Sequence, residues 1–166
     1  LGRRFVDPDG SSVKNFTASK SIPFPPESGY RRWACLRADF ADQHRLTDEL
    51  GIPVRTYLRL DSRMMTVGLA ALTYAPWAAK LSPTSMRGGD RWAIVARAND
   101  DRSVWATGRR QSYATAVVAA WSVGAILRRR LELVRPSWLH GAATLDDLAT
   151  ALGSAGVQVQ AQRPRG

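Results

Sequence analysis

The chain has almost none of the residues from which covalent or metal-based frameworks are built. Cys35 is its only cysteine, which excludes a disulfide framework or a cysteine zinc site within the chain and points to a reducing compartment. His44 and His140 are its only histidines. Neither has a neighbouring cluster at ligand spacing, so no metal is expected. No cofactor is expected either, because Gly88-Gly89 is too short to cradle a phosphate and neither G-x-x-x-x-G-K-[ST] nor G-x-G-x-x-G occurs. The nucleophile-elbow pattern G-x-S-x-G is missing as well. The longest uncharged run, Gln111 to Leu127, falls short of the roughly 20 apolar residues that span a bilayer, and reads as a buried helix. No signal peptide is recognisable. A chain that opens on Leu1 reads as a processed or excised fragment whose upstream segment is unseen.

Acidic residues are also scarce. Twenty-four Lys+Arg face fourteen Asp+Glu, a net charge of +10, which favours an anionic partner and leaves the fold undetermined. Only Lys14, Lys20 and Lys80 are lysines, so the bias is one of arginine, and a GC-rich coding composition is the bland alternative to a functional one. The excess grows along the chain, with +1 over residues 1–50, +4 over 51–100 and +5 over 101–166.

A chain of 166 residues with 45% hydrophobic side chains can close one hydrophobic core. Residues 1–30, with the turn Asp7-Pro8-Asp9-Gly10 and three prolines at 23, 25 and 26, read as a loosely structured, Pro-containing extended arm. Residues 31–160 read as a single α+β domain, and 161–166 as a disordered tail. Within the domain, 32–38 alternates as a strand and Asp39 is placed to cap a helix over 40–50, stopped by Gly51 and Pro53. Residues 54–60 set Arg55, Tyr57 and Arg59 on one strand face. Asp61 or Ser62 caps a helix over 63–74 that Pro76 breaks, and 82–90 is a loop. Residues 91–98 and 103–107 form a hairpin about 99–102. From Ser112 the stripe Tyr113, Val117, Ala120, Trp121, Gly124, Leu127 and Leu131, widened by Val118 and Ile126, describes a mostly buried helix. Thr144 caps a short helix to Leu152, Gly153 and Gly156 end it, 157–159 is a last strand, and 160–166 frays. The fold class is α+β, a small mixed sheet packed against two to four helices. Arg32-Trp33-Ala34 and Arg91-Trp92-Ala93, each opening a short apolar run, raise the variant of two related strand-helix halves.

The chemistry-bearing residues favour binding over catalysis. Asp48-Glu49, Asp100-Asp101 and Asp146-Asp147 lie on a polar helix face, in a turn and in a helix first turn, where each has a structural role. Cys35, on a strand beside Trp33, reads as a small core residue. An enzyme would need a cleft joining His44 or His140 to a carboxylate. Arg102, Arg109, Arg110, Arg128, Arg129 and Arg130, by contrast, occur in a stretch without one acidic residue. The last three suit a helix C-terminus, whereas Arg109 and Arg110 stand at a helix N-terminus, where a cation opposes the dipole and a bound anion would relieve the conflict. A solvated basic face is the bland reading of the same layout. Arg55, Tyr57 and Arg59 form a secondary basic face of the kind that stacks single-stranded bases.

The run Arg91-Trp92-Ala93-Ile94-Val95-Ala96-Arg97, the pair Arg109-Arg110 before an Ala/Val-rich helix, its end at Leu127 to Leu131, and Thr144-Leu145-Asp146-Asp147-Leu148 resemble the soluble region of EccE-type components of type VII secretion systems. The likeness spans residues 90–152, about a third of the chain. It departs from the family in lacking a Gly-rich stretch before the helix and two N-terminal membrane helices. The resemblance implies a peripheral, non-enzymatic subunit of a membrane secretion complex. The expectation is therefore a scaffold domain within a larger assembly, without a small-molecule substrate. Its basic surface contacts an acidic protein surface or anionic lipid. It is cytoplasmic, and membrane-associated through partners or a missing N-terminal segment. The alternative is a DNA- or RNA-binding protein acting through phosphate contacts.

Overall fold

The computed structural model describes residues 2–24, 30–31, 33–81, 89–99, 102–128, 139 and 142–162. The fold is α+β, and the expected sheet is realised as three small ones, antiparallel in every described pair. The chain divides into two compact units, Leu1–Phe24 with Arg31–Gly89, and Pro25–Tyr30 with Asp90–Gly166.

The first unit starts where the sequence reads as a loose arm, and the structure corrects that reading from Arg4 to Ile22. Strand β1 (Arg4–Val6) pairs with β2 (Ser12–Lys14). The Asp7-Pro8-Asp9-Gly10 turn closes them, with Gly10 at φ 82° donating its N–H to the Asp7 carbonyl. Strand β3 (Ser19–Ile22) pairs with β4 (Trp33–Arg37), and β4 pairs on its other side with the two-residue β5 (Tyr57–Leu58).

Beside the β3–β4 pairing, the arm is tied down by an ion pair that local sequence rules do not see. Arg37 is 2% exposed. Its Nη2 meets the buried Asp7, while Nη1 donates to the Gln43 side chain and the Thr56 carbonyl, each at 2.7 Å. The rings of Phe5 and Tyr57 lie 5.1 and 5.5 Å from the guanidinium. A buried arginine of this kind persists only because its charge and most of its donors are matched.

Helix α1 (Ala41–Leu50) ends as expected at Gly51, left-handed at φ 63°, with its N–H on the Thr47 carbonyl. Its start differs from expectation. Phe40 occupies the N-cap without a side-chain bond, while Asp39 is drawn to His44 Nε2 at 2.9 Å and to Gln43. Helix α2 (Arg63–Tyr74) is capped by Ser62, whose hydroxyl accepts from the Met65 N–H, and a short 3-10 helix follows at Pro76–Leu81.

In the second unit β7 (Ser103–Arg109) is central, flanked by β6 (Arg91–Arg97) and β8 (Gln158–Gln162). Pairing of β8 with β7 keeps residues 160–162 from fraying. Helices α3 (Gln111–Leu127) and α4 (Leu145–Ser154) intervene. Thr144 and Asp147 close a reciprocal capping box at the start of α4. Ala114 of α3 packs with Ala155 and Val157, joined by Trp92, Ala106, Val117 and Leu152. Across the β6–β7 pair Trp92 faces Gly108, where a Cβ would lie 2.8 Å from the indole Cζ2. Glycine at 108 is what lets the indole lie flat on the sheet.

In both three-stranded sheets two consecutive strands pair antiparallel, and a third strand, reached after α1 in the first and after α3 and α4 in the second, pairs antiparallel with the second of them. The Arg-Trp-Ala echo does not mark this similarity. It equates β4, a central strand, with β6, an edge strand, whereas the topology equates β4 with β7.

Candidate functional site: the ends and outer face of α3

Arg109 is the last residue of β7, and Arg110 alone makes the turn into α3. Arg110 does so at φ 49°, ψ 66°, a left-handed conformation unusual for a side chain of this size. Its amide bonds the Asp90 carbonyl at 2.7 Å, its carbonyl receives the Tyr113 N–H at 2.9 Å, and its guanidinium lies 5.1 Å from the Tyr113 ring. The Arg110 side chain makes no cap hydrogen bond, and the first turn of α3 has no acidic residue. Arg109 is 71% exposed and reaches Asp90 at 3.6 Å, a loose pair in solvent.

The four described arginines of the six, Arg102, Arg109, Arg110 and Arg128, do not converge. A helix of 17 residues rises about 25 Å, so Arg128 at its C-cap is separated by that length from Arg110. Arg102 lies before β7, about 20 Å along the strand from Arg109, and has an interaction of its own. Arg129, Arg130 and Leu131 lie outside the described residues, as do His140, Asp100 and Asp101.

The structure overturns the expectation of a mostly buried α3. Only Ala114 and Ala125 are buried, with Val117, Val118 and Trp121 half-buried beside them. Tyr113, Ala116, Ala120, Val123 and Leu127 form an outward row at spacings of three and four; Val123 is 56% and Leu127 78% exposed, with Ile126 flanking them. Apolar residues surround this helix on every side, so periodicity could identify the helix and not the face it buries. That exposed row is what sequence reasoning missed. Its only signal was the even spread of apolar residues around the axis.

Arg55, Tyr57 and Arg59 are each engaged within their own unit. Arg55 donates to Asp7 Oδ2 at 2.7 Å and Asp9 Oδ2 at 3.0 Å, and the bond to Asp7 raises its pKa. Tyr57 lies beside Arg37 and Lys20. The Arg59 guanidinium stacks on Trp33, and burial lowers its pKa. Cys35 is buried, which pushes its thiol up.

Catalytic chemistry finds one partial constellation. His44 and Asp39 are in contact, yet the same Asp39 oxygen also meets Gln43, and the described bonds bring no hydroxyl or thiol to the imidazole. Among the described residues no group of three or more His, Cys, Asp or Glu is placed to hold a metal. An open groove beside α4 is lined by Val104, Leu145, Leu152, Val157 and Val159 together with the polar Asp146 and Gln160. Among the described residues no helix is long and apolar enough to cross a membrane.

The class these features define is an α+β chain that presents an apolar helix face between basic ends. Comparison with protein-family models, curated proteins and solved structures finds no match.

Proposed function

We propose that this chain is a non-enzymatic interaction module, a scaffold subunit of a larger assembly, that contacts an acidic protein surface through α3 and its basic ends. The observation that carries this reading is the outer face of α3. An exposed apolar row of this length marks an interaction surface more often than free solvent contact, and Arg110 and Arg128 at its two ends set the sign of the partner's charge. The likeness of residues 90–152 to EccE-type components supports a specific version, a peripheral subunit on the cytoplasmic side of a membrane secretion complex. A phosphate-binding role draws support from the net charge of +10. It is disfavoured by the carboxylates that occupy Arg37, Arg45 and Arg55, since phosphate tracking needs unpaired cations.

The test compares the wild-type chain with an Arg109→Gln/Arg110→Gln variant for binding to poly-L-glutamate and to a short DNA duplex, at about 50 and about 200 mM salt. The expected result is polyglutamate binding that weakens about 3–10-fold in the variant, with an unchanged circular dichroism spectrum. Polyglutamate binding that is insensitive to both arginines sinks the proposed contact. Steeply salt-dependent duplex binding of higher affinity would move the reading to nucleic acid, and absence of duplex binding at low salt removes that alternative.

A further inference from the structure

The geometry points to a partner that is itself an amphipathic helix, apolar along one seam and acidic at both ends, lying along the outer face of α3. This rests on the interaction reading above and adds the shape and charge of what binds.

Tyr113, Ala116, Ala120, Val123 and Leu127 repeat at three, four, three and four residues, the spacing of a coiled-coil seam. The row is exposed throughout. Its central alanines keep the helix surface low, so a second helix can approach at the 8–10 Å typical of packed pairs. No charged residue interrupts Gln111 to Leu127, so an occupant that placed a charge at its own centre would bury it unpaired. Within the described residues the seam is about two heptads long, a length at which apolar contact alone selects a partner poorly. The ends must therefore contribute, and both are cationic.

Charge decides among possible occupants. A second copy of α3, parallel or antiparallel, would set arginine against arginine at each end of the seam, a like-charge contact that disfavours self-pairing. An acidic-ended helix meets Arg110 at one end and Arg128 at the other. At the Arg110 end the α3 dipole adds to the attraction. A bilayer fits less well. Interfacial helices carry Lys and Arg along the whole polar face and bulky Trp, Phe or Leu on the apolar one. The inward face of α3 is packed around Ala114 and Ala125, and the middle of its outward row is alanine.

The experiment uses the full chain and two synthetic 21-residue helical peptides with the same Leu/Ala seam. One has glutamates in its first and last turns, the other lysines. Labelled peptide is titrated and followed by fluorescence anisotropy, with phosphatidylglycerol/phosphatidylcholine vesicles and sedimentation of the protein alone as parallel arms. The Glu-ended peptide is expected to bind at least about tenfold more tightly than the Lys-ended one. V123D and L127D, both at exposed positions, are each expected to weaken it about tenfold or more without altering the circular dichroism spectrum. Equal binding of the two peptides, or no binding of either, overturns the inference. So does vesicle binding or self-association that V123D abolishes. If the peptides fail while polyglutamate binding still depends on Arg109 and Arg110, the interaction reading stands and the helical partner falls. If both fail, both fall.

Discussion

Replacing Gly108 by alanine tests whether the second unit's core is built as described. The added Cβ would stand 2.8 Å from Trp92 Cζ2, 3.0 Å from Cε2 and 3.2 Å from Nε1. The indole must move, and it belongs to the cluster around Ala114, Ala155 and Val157. Overpacking of this kind costs about 1–3 kcal/mol, whereas alanine recovers about 0.4–1 kcal/mol by restricting the unfolded chain. The net expectation is a loss of about 1–2 kcal/mol, read from urea unfolding followed by far-UV circular dichroism. The cause is separable by a double-mutant cycle. In a Trp92→Leu background the obstructing ring is gone, so Gly108→Ala should be neutral or slightly stabilising, giving a coupling of about 1–3 kcal/mol. Additive effects, or a single variant more stable than the wild type, would refute the packing of Trp92 on the Gly108 backbone.

Arg37→Met should destabilise by about 3–5 kcal/mol, because it removes one of the two described counterions of the buried Asp7 and leaves Arg55; denaturant unfolding measures it, and a change under 1 kcal/mol would show the ion pair to be peripheral. Arg110→Gly should stabilise by about 0.5–1 kcal/mol by relieving the left-handed backbone at φ 49°, visible as a higher urea midpoint. Thr144→Ala should cost about 0.5–2 kcal/mol through loss of the capping box. The Thr144 amide and hydroxyl lower the Asp147 pKa. Its contribution is thus fully present above the ordinary carboxylate range and lost as pH falls through the lowered folded value. The acid limb of the stability profile, below about pH 4, should therefore be shallower in Thr144→Ala than in the wild type.

The elements that could be read from the sequence are those whose causes lie within a few residues. Ser62 and Thr144 sit just before the helices they cap, Gly51 just after the one it ends, and the β6–β7 hairpin announces itself by two apolar runs around a polar turn. The arm was misread because its stabilising partner is distant, Asp7 and Arg37 being separated by 30 residues. Asp39 looked like a cap by position and was captured by His44 instead. At the candidate site the sequence located Arg109 and Arg110 at the start of α3 and Arg128 at its end. It did not reveal which side of α3 is covered, since that depends on where β7 and α4 dock. Nor did it reveal that Arg55 is claimed by Asp7 and Asp9, 48 and 46 residues away.

The Asp7–Arg37 pair also fixes where this protein can be shortened. A boundary drawn by composition would discard everything before the prolines at 23, 25 and 26, keeping a chain that opens near β4. Such a truncation deletes the carboxylate and also Phe5, whose ring lies against the guanidinium, leaving Arg37 without its buried counterion and part of its cover. It also removes β3, exposing one edge of β4 to pairing with other chains. Shortened versions beginning after Phe24 should accumulate as insoluble material, whereas an added segment at the exposed Asp9-Gly10 turn should be tolerated.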